Sequence, residues 1–124
     1  NMIKFISPRI SELSSLENLD LSCNRIDVLP NEICELSSLE ELQLMHNFLQ
    51  YIPNGIGKLK KLKNLYLHKN NIEELSEELK ELSKLEYISA TEFNKLKQDP
   101  TKREKYFDFG EKAAVSLIVL EYKI

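Results

Sequence analysis

Few side chains in this chain could act as soft metal ligands, because the sequence has two cysteines and two histidines. Three of them, Cys23, His46 and His68, follow one another at similar intervals along the chain. Thiolate and imidazole are donors that suit zinc. These three donors fall short of the four in a structural zinc site, and no C-x-x-C pair anchors them. We therefore expect no metal and no other cofactor.

The same residues offer a poor basis for catalysis. Cys23 and His46 could form a nucleophile–base couple, but nothing orients the imidazole and no helix N-terminus lowers the pKa of the thiol. The three glycines, Gly55, Gly57 and Gly110, form no phosphate-binding loop. Adjacent carboxylates such as those at 40–41 are expected to be solvated. The chain is predicted not to be an enzyme.

Composition narrows the classes of partner and compartment. The 124 residues carry a net charge of −3, and the 14 lysines outnumber the 3 arginines, so neither nucleic acid nor an anionic membrane is an expected partner. No stretch approaches the roughly 20 apolar residues of a membrane span. The two cysteines cannot form the disulfides that usually close the ends of a secreted repeat domain. A cytoplasmic location is predicted.

The chain contains a repeat whose copies begin at Leu16, Leu39 and Leu62. The secondary-structure elements formed by these copies must position the side chains named above. Residues 39–59 read LEELQLMHNFLQYIPNGIGKL, and residues 16–36 and 62–82 share the skeleton. The template is L-x-x-L-x-L-x-x-N-x-L/I-x-x-L/I-P-x-x-I/L-x-x-L. Its nine specified positions hold in all three copies except at Ser76, where the others have proline. No single copy can bury its own leucines, so the copies must stack.

Each part of the template predicts a local structure. The alternation in L-x-x-L-x-L predicts a short strand. Asn24, Asn47 and Asn70 should stack as an internal ladder that satisfies buried peptide groups. Pro30 and Pro53 disfavour a long helix on the return side. Residues 76–81 could instead form a helical turn capped by Ser76.

We predict one domain over residues 1–124. The copies of the repeat at its two ends are incomplete. Residues 1–15 form a partial repeat that begins after its strand, 16–84 three full repeats, and 85–124 a degenerate repeat and cap. Either a longer array continues upstream, or Met2 is the true start and the half-repeat is a cap.

Beyond the last full repeat, the sequence predicts a helix and then a further strand. Asp99 and Pro100 start a short helix that Gly110 ends. Residues 115–124, VSLIVLEYKI, read as a final strand, and a continuous helix from Glu111 is the alternative. An open edge there could support a weak homodimer.

These repeats resemble leucine-rich repeats of the 23-residue kind with Leu-Pro before the return segment. Intracellular, Ras-associated leucine-rich repeat proteins are similar, and so are some bacterial ones. The resemblance implies an α/β fold, a right-handed solenoid shaped as a short horseshoe. Its concave face would carry a parallel sheet, its convex side irregular and 3-10 segments, and its C-terminus a helical cap. Such domains are generally used to bind proteins.

The strand residues that point away from the core should form columns on the concave face. Large and aromatic groups are concentrated in the middle of these columns, which is the composition of an interface core. The predicted partner-binding residues are Glu41, Gln43, Met45, His46, Tyr66, His68 and Tyr87. We expect a protein partner of unknown identity. The alternative is the recognition segment of a larger signalling protein or bacterial effector, with its enzymatic domain elsewhere.

Overall fold

The computed structural model describes residues 1–72 and 77–89, in which short strands alternate with 3-10 helices. The strands are β1 (Asn18–Asp20), β2 (Glu41–Gln43), β3 (Asn64–Tyr66) and β4 (Tyr87–Ser89). The 3-10 helices are η1 (Pro8–Glu12), η2 (Asn31–Glu35), η3 (Asn54–Lys58) and η4 (Glu77–Glu81). The first three strands come from L-x-x-L-x-L segments, and β4 comes from the degenerate copy LEYISA at residues 85–90. The 3-10 helices lie in the return segments of the repeats.

The strands form one parallel sheet in the order β1-β2-β3-β4. Every step across the sheet is a step of one repeat along the chain. Two rows of outward-facing positions result, and they match the predicted columns. The first row is Asn18, Glu41, Asn64 and Tyr87, and the second is Asp20, Gln43, Tyr66 and Ser89.

The central residue of each strand points into the core between the sheet and the 3-10 helices. Leu42, Leu65 and Ile88 are fully buried there, whereas Leu19 in β1 is only partly buried. Burial of each such side chain contributes about 1.5–3 kcal/mol. Because the buried layers come from successive repeats, each repeat depends on its neighbours for stability.

The predicted asparagine ladder is present in the described repeats. Asn47 donates from Nδ2 to the carbonyl oxygens of Leu21 (2.9 Å) and Leu44 (3.1 Å). Its Oδ1 accepts from the N–H of Ile26 at 3.1 Å. One side chain thus satisfies peptide groups in its own repeat and in the preceding one.

The neighbouring asparagines repeat this arrangement. Asn70 Oδ1 accepts from the N–H of Leu49 at 3.0 Å. Asn24 Oδ1 accepts from the N–H of Ile3 at 3.1 Å. Ile3, Ile26 and Leu49 stand at the same position of the template, so the ladder extends to the partial repeat at the beginning of the chain. The side chain of Ile3 is nevertheless exposed, whereas Ile26 and Leu49 are fully buried.

Proline and glycine shape the return side. Pro30 and Pro53 precede η2 and η3 in extended conformations, with ψ of 147° and 142°. A Cβ atom on Gly57 would lie 3.0 Å from the carbonyl oxygen of Glu78, so glycine permits the close approach of η3 and η4.

Residues 77–81 of the predicted helical turn are found as the 3-10 helix η4, and Leu79 and Leu82 are buried. Other predictions fall outside the described residues. These are the cap at Ser76, the helix from Asp99 to Gly110, the strand at 115–124 and the homodimer edge.

We predict that Asn47→Ala lowers the free energy of unfolding by about 2–4 kcal/mol. The Ile26 N–H loses its acceptor, and the carbonyls of Leu21 and Leu44 each lose one of their two asparagine donors. Urea unfolding followed by circular dichroism measures this. Asn31→Ala is the control, since Asn31 is exposed. An equal loss in both variants would show that the ladder adds nothing specific.

Candidate protein-binding surface

The sheet positions the candidate residues on the face opposite the core. Glu41 and Gln43 lie at the two ends of β2, Tyr66 at the end of β3 and Tyr87 at the start of β4. Met45, His46 and His68 follow the ends of their strands. His46 is exposed and the other six are partly buried. The seven side chains belong to three successive strands and share one surface, the concave patch: Glu41, Gln43, Met45, His46, Tyr66, His68 and Tyr87.

Two tyrosines form the aromatic part of the concave patch. The rings of Tyr66 and Tyr87 have centroids 5.2 Å apart and are tilted by 47°. Partial burial, and then the nearby Glu41 carboxylate, raise the pKa of the Tyr66 phenol. Tyr66 therefore stays neutral at physiological pH and presents both a ring and a polar hydroxyl.

Two histidines form a second ring pair on the same surface. His46 and His68 meet edge to face, with ring centroids 6.0 Å apart. His68 Nδ1 lies 2.7 Å from the hydroxyl of Ser89, which also accepts from the N–H of Leu67 at 3.1 Å. We infer that the Ser89 hydroxyl donates to His68 Nδ1, which leaves the imidazole neutral with its own proton on Nε2.

Ser89 differs from the expectation that the sequence gives for its position in the strand. Its column is predicted to face solvent, yet Ser89 is fully buried. The hydroxyl is directed at a backbone amide and an imidazole in place of water. Burial, the neighbouring His46 and then Lys69 lower the pKa of His68.

The position before each ladder asparagine has a backbone conformation that the sequence does not signal. Cys23, His46 and Lys69 have φ of 58°, 57° and 60°, in the left-handed region. Cys23 donates its N–H to the carbonyl of Met45 (3.0 Å), and His46 to that of His68 (3.1 Å). Hydrogen bonding between repeats thus continues past the strands, with the side chain of His46 held at an exposed turn.

The possible metal and nucleophile residues do not assemble into a site. Among residues 1–72 and 77–89, no group of three or more His, Cys, Asp or Glu side chains is placed to hold a metal ion. Cys23 is exposed, and Cys34 is buried. Burial raises the pKa of Cys34 to about 11, so this thiol is protonated at neutral pH.

Sequence reasoning missed a set of exposed apolar side chains away from the concave patch. Phe5, Val28 and Tyr51 stand at one position of three successive repeats, and all are exposed. Their recurrence at an interval of 23 residues in three successive repeats was the available signal; the next repeat has Glu74 at this position. The template leaves this position unspecified, so a comparison of template residues alone passes over it.

Comparison with known proteins agrees with this geometry. A family model described as a leucine-rich repeat region matches residues 2–106. The chain belongs to the leucine-rich repeat family, whose members commonly serve as protein-interaction scaffolds and are generally not enzymes. The parallel sheet and 3-10 segments that the sequence predicted are confirmed.

A solved structure of a leucine-rich repeat protein from Leptospira interrogans is similar, with a TM-score of 0.81 and 32% identity. The match covers 91% of this chain and 28% of that one, so this chain spans just over a quarter of its length. A comparison with curated proteins gives no match. None of the described helices is long and apolar enough to cross a membrane.

We predict opposite effects of two substitutions at Lys69, which is exposed and left-handed. Lys69→Gly removes the steric penalty of positive φ and raises the free energy of unfolding by about 0.5–1 kcal/mol. Lys69→Val, with a β-branched side chain, lowers it by about 1–2 kcal/mol. Urea denaturation of both variants measures the difference, and changes of the same sign would contradict the assignment of strain.

We also predict that acid destabilises the chain through His68. Because the pKa of His68 is lowered in the folded state, the unfolded chain binds more protons once the pH falls through the ordinary histidine value of 6.5. The stability present above that pH is lost progressively below it. His68→Gln should flatten this part of the curve of unfolding free energy against pH. An unchanged slope would refute the role of His68.

Proposed function

We propose that this chain is a non-enzymatic interaction module that binds a protein partner through the concave patch. The observation that carries the proposal is the pair of ring contacts, Tyr66 with Tyr87 and His46 with His68, side by side on one sheet face. Aromatic side chains with a polar tip are enriched in interface cores, because they bury large areas at a low entropic cost.

The hydrogen bonds beneath these rings support the proposal. Ser89 accepts from the Leu67 N–H and contacts His68 Nδ1, so it fixes the imidazole. The rings of Tyr66 and Tyr87 pack against each other, so both ring pairs are oriented before a partner arrives. Rings that are already ordered lose less conformational entropy on binding. Gln43 and Met45 would add an adaptable hydrogen-bonding group and a polarizable apolar group to the same contact.

The domain boundaries and location are part of this proposal. We take residues 1–124 as one repeat domain, with three full repeats at 16–84 between a partial repeat and a cap. We place it in the cytoplasm, where the free cysteines Cys23 and Cys34 would stay reduced.

A second candidate function is recognition within a larger signalling protein or bacterial effector. The length of the Leptospira structure, of which this chain matches 28%, favours it. In that case the same concave patch would select the target, and an enzymatic or targeting domain would lie outside these residues. The two candidates differ in what is joined to the module and share its binding surface.

The proposal is tested with the double variant Tyr66→Ala/His68→Ala. Wild-type and variant protein capture partners from a lysate, mass spectrometry identifies them, and calorimetry measures the affinity of the purified partner. We expect the affinity to fall by about 30-fold or more, as for the loss of a hot spot.

A matched control is Glu35→Ala/Lys61→Ala, which alters two exposed residues away from the sheet. It should bind as the wild type does. Unchanged affinity in a correctly folded Tyr66→Ala/His68→Ala variant would rule out the concave patch as the contact surface.

A further inference from the structure

A column of apolar side chains lies on the loop edge of the solenoid, between the strands and the 3-10 helices. Phe5, Val28 and Tyr51 each immediately precede the aliphatic residue that leads into the return segment, and they are 82%, 49% and 53% exposed. Val28 has a packed repeat on either side and is still half exposed. The exposure is therefore a property of this position and not of the end of the array.

Open cavities accompany the column. One of about 560 Å³ lies between Phe5 and Phe48, and Phe48 is 54% exposed. Tyr51 borders a second cavity, of about 330 Å³, which Lys58 also lines. We call the surface formed by the column and the two cavities the edge groove. Exposed apolar surface of this kind commonly marks a site of interaction.

The net charge of the residues that line the first cavity is opposite in sign to the net charge of the whole chain. Lys4 and Arg25 line the first cavity together with Asp27, and Lys58 lines the second. Within the described part of the chain, none of these three cations takes part in an ion pair. At the first cavity, two cations against one anion, in a chain of net charge −3, favour a ligand bearing carboxylates. At the second cavity, the charge of Lys58 is partly offset, because Glu35 and Glu78 also act electrostatically on the lining residue Cys34.

The backbone holds the groove in a fixed shape. The N–H of Arg25 donates to the carbonyl of Ile3, and that of Phe48 to the carbonyl of Ile26, each at 2.9 Å. Arg25 and Phe48 directly follow the ladder residues Asn24 and Asn47. Backbone hydrogen bonds therefore connect the loops of adjacent repeats beside the ladder. A preformed apolar groove avoids the entropic cost of ordering loops on binding.

We propose that the edge groove is a second binding surface, distinct from the concave patch. It accepts an extended segment of another protein in which apolar side chains are interspersed with Asp or Glu. The apolar groups would occupy the spaces beside Phe5, Phe48 and Tyr51. The carboxylates would meet Lys4, Arg25 and Lys58.

A phage-displayed library of random linear peptides, panned against the wild-type chain, tests the chemistry of the ligand. We expect enrichment of peptides that combine Asp or Glu with aromatic or large aliphatic residues. A synthetic copy of an enriched peptide should bind Arg25→Glu and Phe48→Ser about tenfold or more weakly than wild type. Raising the salt concentration should weaken binding to the wild type.

Two controls separate this surface from the concave patch and from misfolding. Tyr66→Ala/His68→Ala should bind the peptide as the wild type does, so the edge groove and the concave patch succeed or fail independently. Arg25 and Phe48 are exposed, and urea unfolding of their variants verifies that each is folded.

Several outcomes would overturn the proposal. They are the absence of enriched peptides, enrichment of basic peptides, or equal binding to the wild type and both groove variants. Self-association of the wild type that Phe48→Ser abolishes, measured by analytical ultracentrifugation, would assign the groove to a second copy of the chain and reject the acidic segment.

Discussion

The structure depends on one constraint: a single repeat cannot satisfy its own buried peptide groups or bury its own leucines. The asparagine side chain solves the first problem, since Asn47 joins the carbonyls of Leu21 and Leu44 to the amide of Ile26. Stacking solves the second, since Leu42 is fully buried between the neighbouring layers. Both solutions link adjacent repeats. The stacking of repeats that stabilises the fold therefore also sets the spacing of the side-chain columns on the surface.

Function, in this account, belongs to the positions that the scaffold leaves free. Because neighbouring strands pair in register from one repeat to the next, side chains at equivalent positions come to lie side by side. Tyr66 and Tyr87 also contact each other across adjacent strands. The same rule produces a second, separate surface on the loop edge, with Val28 in its column. One solenoid can therefore present two chemically different faces, one aromatic with polar tips and one apolar with cations.

The sequence predicted the register, the buried template residues and the ladder, because each depends on a residue type at a fixed position. It did not predict the left-handed backbone at Cys23 and His46, since neither residue type requires positive φ. The adjoining ladder and sheet impose that conformation. The burial of Ser89 and its hydrogen bond with His68 also escaped prediction, because residue type alone does not indicate contacts between side chains of different repeats. The edge groove was missed because Phe5 and its equivalents occupy unspecified positions.

The most direct test of this account is amide hydrogen exchange at Ile26 and Leu49, whose N–H groups donate to the side-chain oxygens of Asn47 and Asn70. Nuclear magnetic resonance resolves these two amides individually. If the ladder ties the repeats together, both should exchange only through global unfolding, with a free energy matching that from urea denaturation. Exchange as fast as in an unstructured peptide would contradict the account, because the loops would then open without the repeats separating.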